Sequence, residues 1–281
     1  MERLKVHLSR QQGVVLGIDV GYSATRKTTG FCALSWGDDK VTWQCENTST
    51  TESDRRACLA RLLNGRTRVW AVAIDGPLRP HLSSGTSYRA CESCLSRGAF
   101  QRRGKPGASS SPSGQSLHTA ATALAMLTLD SAEVVPAKHV PSIHSRAIVE
   151  AFPTLFLGVM CDVATYPPKT RRWTDALYPV VQPKLAQLLG CLFPGHNIQW
   201  PWAPLGHEQI ASLVCALTAL CVLNRRFVAV GDADDGYIVL PPPAWWGRDG
   251  SGRPGWAWTE LAAHLPNVRR RFPGAVICKV G

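Results

Sequence analysis

VVLGIDVG, Val14 to Gly21, decides how this chain is read. Its unbroken, largely β-branched apolar run closes on Asp19 and a glycine, the pattern of a strand buried on both faces. VWAVAIDGPL (Val69 to Leu78) repeats the pattern, ending in Asp75 before Gly76-Pro77 stops the strand. RAIVEAFPT (Arg146 to Thr154) is a third such run, with Glu150 inside it, where a charge needs a partner or a metal to offset its desolvation. The pattern therefore predicts central strands whose ends bring Asp19, Asp75 and Glu150 to one edge of a sheet. The plainer alternative is that Asp75 caps a turn and Glu150 is paired with an arginine.

Outward from these runs, TGFCALSW and KVTWQCEN read as two further strands joined at Gly37-Asp38-Asp39, making a three-stranded meander with the first. Ser53 is the expected N-cap of a helix over DRRACLARLLNG, with Gly65 as its stop. CLSRGAFQRRGKPGASSSPSGQ has no periodicity and reads as a long basic Gly/Ser-rich loop, about 97–116. TAATALAMLTL and HEQIASLVCALTALCVLN read as buried helices, and FVAVGDADDGYIVLPP as a closing hairpin turning at Asp235-Gly236. A Trp/Pro-rich C-terminal extension, about 241–281, follows. No linker divides the chain, so residues 1–281 are expected to form one α/β domain.

A hydrophobic content of 45% in 281 residues excludes wholesale disorder. The net charge of +11 favours polyanionic partners, nucleic acid above all. Arg89, Arg97, Arg102, Arg103 and Lys105 are candidate phosphate clamps in or beside the basic loop, although solvated cations are the plainer reading. The N-terminus has no apolar core of a signal peptide and no stretch reads as a membrane span, so a cytoplasmic protein without a membrane partner is expected. The ten cysteines lie in apolar contexts, which predicts reduced thiols. Cys91-x-x-Cys94 stands without a second ligand pair and reads as helix packing rather than zinc.

The order of an Asp-ended strand, a meander, a helix and further parallel strands resembles the ribonuclease H-like fold, a mixed sheet flanked by helices. GIDVG (Gly17 to Gly21), AIDGPL (Ala73 to Leu78), YRACESCLSRG (Tyr88 to Gly98) and RGKPG (Arg103 to Gly107) resemble the domain of unknown function 429 family in particular. So do VEAFPT (Val149 to Thr154), LVCALTAL (Leu213 to Leu220) and DGYIVLP (Asp235 to Pro241), in the family's order. The resemblance implies a nuclease in which Asp19, Asp75 and a late-helix acid hold Mg²⁺ or Mn²⁺, with Glu150 in support. The chain departs from the family where that acid should be, at Ala211. Glu208, three residues earlier and on the same helix face, is the substitute the sequence offers, and a helix N-terminal acid is its plainer role.

Two other functions compete. One is a non-catalytic nucleic-acid-binding or scaffold protein with a degenerate site. The other is an actin-like phosphotransferase, suggested by GIDVGYSATRKTTGF with Lys27 and Thr28 on phosphate, and disfavoured because no second phosphate hairpin follows.

Overall fold

The computed structural model describes residues 12–23, 26–37, 39–79, 88–138, 145–168, 173–199, 205–253 and 255–281. The opening apolar run becomes β1 (Gly13–Asp19), followed by β2 (Thr29–Gly37), β3 (Lys40–Thr48) and helix α1 (Glu52–Leu63). Next come β4 (Arg68–Val69), β5 (Val72–Asp75), α2 (Ala90–Leu95), a 3-10 turn at Gly98–Arg102, α3 (Pro112–Ser131), β6 (Glu133–Val134) and β7 (Ile148–Ala151). Helices α4 (Pro153–Met160) and α5 (Trp173–Leu192) lead to β8 (Asn197–Ile198) and α6 (His207–Leu223). The chain ends with the hairpin β9 (Phe227–Asp232) and β10 (Gly236–Leu240), α7 (Trp256–Arg269) and β11 (Val276–Val280).

These elements build an α/β architecture around one mixed sheet of nine strands, ordered β11-β9-β10-β7-β5-β1-β2-β3-β8. β1, β5, β7 and β10 run parallel, and β2, β3, β9 and β11 join through antiparallel pairings. Aligned residues on neighbouring strands share a face, and residues one apart along a strand take opposite faces. A Cβ on Gly17 would lie 2.1 Å from the Ser212 carbonyl oxygen and 2.1 Å from the Ala216 nitrogen, so α6 rests directly on the backbone of β1. The face carrying Ile18, Phe31 and Glu46 is instead met by α1, whose Arg61 donates to Glu46 at 2.7 Å. Leu16, Ile18, Leu34 and Ile74 between these layers are fully buried, each worth about 1.5–3 kcal/mol relative to exposure. A second apolar cluster, including Phe100, Leu155, Ile238 and Trp256, lies under the β9–β10 flank.

Several expectations need correction. Thr51, not Ser53, caps α1, its hydroxyl accepting from the Asp54 backbone nitrogen, and Asn64 in the left-handed region ends the helix just before Gly65. The basic stretch is only partly a loop. It starts with the 3-10 turn, and α3 begins at Pro112 with Ser111 as its cap, before the TAATALAMLTL run. The hairpin does not close the sheet, because the C-terminal stretch supplies α7 and the edge strand β11 beyond it. Trp200, Trp202 and Asp38 of the expected turn lie outside the described residues. Among the described residues, no helix is long and apolar enough to cross a membrane.

Candidate active site

Parallel pairing in register sets Asp19 directly beside Asp75 at the C-terminal ends of β1 and β5. Both lie on the face that α6 covers, since Gly17 and Asp19 share that face. A Cβ on Gly30, which is aligned with Asp19, would lie 2.2 Å from the Glu208 carbonyl oxygen. The first turn of α6 therefore crosses β2 beside Asp19 and brings Glu208 to the pair. Ala211, where the family resemblance expects an acid, is buried one turn further along.

The carboxyl groups of Asp19 and Asp75 lie against each other, and both are harder to ionise than free aspartates. For Asp19, burial is the largest cause, followed by the charges of Asp75 and Glu208 and the hydrogen bond to Asp75. Burial likewise dominates at Asp75, raised to about 7, with Glu150 adding repulsion and the bond from Asp19 acting in the opposite direction.

The turn that follows Asp19 is held from beneath. Arg55, in the first turn of α1 and buried, donates to the Gly21 carbonyl at 2.9 Å and to the Thr29 hydroxyl at 3.0 Å. Burial makes its guanidinium easier to deprotonate than an exposed one, which fits a cation stabilised by neutral acceptors. Sequence reading missed Arg55, because an arginine in the first turn of an amphipathic helix carries no distinguishing signal.

Glu150 shares the end of the sheet but not the face. β7 aligns Ala151, not Glu150, with Asp75, and aligns Glu150 with Ile74. Its carboxylate accepts two bonds from Arg89, at 2.6 Å from Nη2 and 2.8 Å from Nη1. Arg89 Nε donates to Glu92 at 2.8 Å, and Glu92 also accepts from the backbone nitrogen and hydroxyl of Ser109. All three charged side chains are buried. Glu150 is thus ion-paired with Arg89, whose charge is met by carboxylates, and both line the same cavity as Asp75. The spacing of Arg89 and Glu92, three residues apart on a helix start, was the available sequence signal for this network.

The remaining cations of the basic stretch point elsewhere. The Arg103 guanidinium lies 4.5 Å from the Trp256 ring and 5.0 Å from the Tyr166 ring, engaged as an interior cation–π contact. Arg97 and Arg102 are exposed on the 3-10 turn, where the Ala99 nitrogen donates to Glu260 of α7. Lys105 is exposed over Tyr88. The part of the stretch that reaches Asp75 runs from Pro106 to Ser109, which with Arg89, Glu150 and Phe152 lines a cavity of about 180 Å³ beside it. Cys91 and Cys94 are buried thiols in α2, both raised chiefly by burial, Cys94 to about 12.

Among the described residues, no group of three or more His, Cys, Asp or Glu side chains is spaced to hold a metal ion. Two adjoining carboxylates remain, a hard-oxygen donor set. Mg²⁺ commonly rests on one or two carboxylates, with water and phosphate filling the other positions, so the pair fits such an ion and not zinc. No family model, curated protein or solved structure matches the chain.

Proposed function

We propose that this chain is a ribonuclease H-like hydrolase of nucleic-acid phosphodiester bonds that works with Mg²⁺ or Mn²⁺. The observation that carries the reading is the in-register Asp19–Asp75 pair at the ends of adjacent parallel strands beside the N-terminus of α6. The strand order β3-β2-β1-β5-β7, an antiparallel meander extended by parallel strands, supports the fold assignment and with it the resemblance to the domain of unknown function 429 family. The net charge of +11 supports a polyanionic substrate.

In this reading Asp19 and Asp75 would hold the cation, for which both carboxyl groups must be ionised. When bound, Mg²⁺ or Mn²⁺ would neutralise the pair and polarise the phosphodiester. Glu208 lies within electrostatic reach of Asp19 and takes the role of proton acceptor or water holder at the open side. The Arg89–Glu92–Glu150 network positions the cavity wall by fixing Ser109. Exposed Arg97, Arg102 and Lys105 remain available to nucleic-acid backbone further out.

The test combines Mn²⁺ titration with cleavage of labelled single-stranded, double-stranded and hybrid oligonucleotides by the wild type, Asp75→Asn, Glu208→Gln and Ala211→Asp. Metal-dependent cleavage that Asp75→Asn lowers by about a thousandfold supports the reading. A wild type that binds no Mn²⁺ and cleaves nothing, while Ala211→Asp gains both, makes the chain a nucleic-acid-binding protein with a lapsed site.

A further inference from the structure

At the end of the sheet opposite the aspartates, a cavity of about 310 Å³ lies where β5 and β7 begin and α6 ends. Its described lining includes Arg68, Lys138 and Arg225, together with Trp70, and no carboxylate. The three cations come from separate segments, and all are exposed. The nearest acid along the strands, Glu133 opposite Arg68, is not part of the lining. Ala71, Val135, Ala147 and Val222 make the floor apolar and buried.

We infer that this cavity binds a mononucleotide, its phosphate on the cations and its base on the Arg68–Trp70 surface. The volume falls at the lower end of the ~300–1,000 Å³ typical of small-molecule sites. The Arg68 guanidinium lies 4.6 Å from the centre of the Trp70 ring, so cation and aromatic are already stacked before any ligand arrives. A guanidinium plane and an indole are the two surfaces on which nucleobases stack, and arginine also pairs with phosphate through its paired N–H groups.

The C-terminal end of α6 would by itself repel an anion. Here its carbonyls at Leu220, Cys221 and Val222 accept from the backbone nitrogens of Asn224, Arg226 and Arg225, which removes them as bare negative ends. The same capping turn holds Arg225 at a φ of 53°, projecting its side chain from the helix end. Because neither Asp19 nor Asp75 takes part, the inference stands independently of the proposed phosphodiesterase activity.

The test is calorimetric titration of the full chain with AMP, adenosine and inorganic phosphate, in a chelator so that the carboxylate site holds no metal. AMP is expected to bind, with adenosine and phosphate each weaker by about tenfold or more. Arg68→Ala and Arg225→Asn should each weaken AMP by about tenfold, asparagine being chosen because it tolerates the left-handed backbone at that position. Arg68→Lys, which keeps the charge and loses the plane, should weaken AMP and leave phosphate unchanged. Asp75→Asn should leave AMP affinity as it was. The inference is overturned if AMP does not bind, if neither arginine variant affects its affinity, or if phosphate alone binds as tightly.

Discussion

The two ends of β5 carry opposite charges in opposite physical states. At its C-terminal end, Asp75 meets Asp19, both half-buried, and the buried Glu150, Glu92 and Arg89 line the same cavity as Asp75. At its N-terminal end, Arg68, Lys138 and Arg225 line an open cavity in contact with solvent. Charge at the first end is compensated by partners or by a retained proton, because desolvation leaves no cheaper state. Charge at the second end is balanced by water, so the fold does not depend on it. The difference separates a region whose charges are built into stability from one whose charges are free to serve a ligand.

The largest expected effect tests that separation at Arg89. Arg89→Met leaves Glu150 and Glu92 buried without their cation and should cost about 3–5 kcal/mol of unfolding free energy, read by urea denaturation. A loss under about 1 kcal/mol would mean that the network is far less isolated from water than its burial indicates. A smaller effect is expected from pH at the aspartate pair. Asp75 binds its proton more tightly folded, near pH 7, than unfolded, where 3.8 is the ordinary value. The folded state therefore holds a proton that the unfolded state has released, and stability falls as pH rises between those values. Without metal, the wild type should lose about 1–2 kcal/mol more than Asp75→Asn between pH 5 and pH 8, measured as thermal unfolding at both. A wild-type slope equal to that of the variant would show that Asp75 is not raised in the folded state. Smallest of all, Arg68→Ala should change stability by less than about 0.5 kcal/mol, since an exposed cation has little to lose. A change above about 2 kcal/mol would show that the cationic end is structural after all.

The strands bearing Asp19 and Asp75 were legible because a strand buried on both faces must be apolar throughout and must stop where the chain turns. Their convergence was expected from the repeated pattern, and the parallel pairing of β5 with β1 on the side away from β2 sets the two acids in register. Glu150 shows the limit most sharply. Its strand was legible, but an alignment shifted by one residue, Ala151 rather than Glu150 opposite Asp75, gives the carboxylate to Arg89 in the cavity that both share with Asp75. Helix α5 was hidden by Pro179 and Pro183, and α7 by Pro266, because proline removes a helix hydrogen bond and reads as a breaker where flanking packing retains the helix.

By itself, then, the sequence determined the acid-ended central strands, the meander, α6 and the β9–β10 hairpin, all of which follow from local periodicity and turn chemistry. Only the tertiary structure decided which acids share a face, which arginines are neutralised inside the protein, and that Arg68, Lys138 and Arg225 converge. Those outcomes depend on strand register and on contacts between distant segments, and neither leaves a periodic trace in the chain.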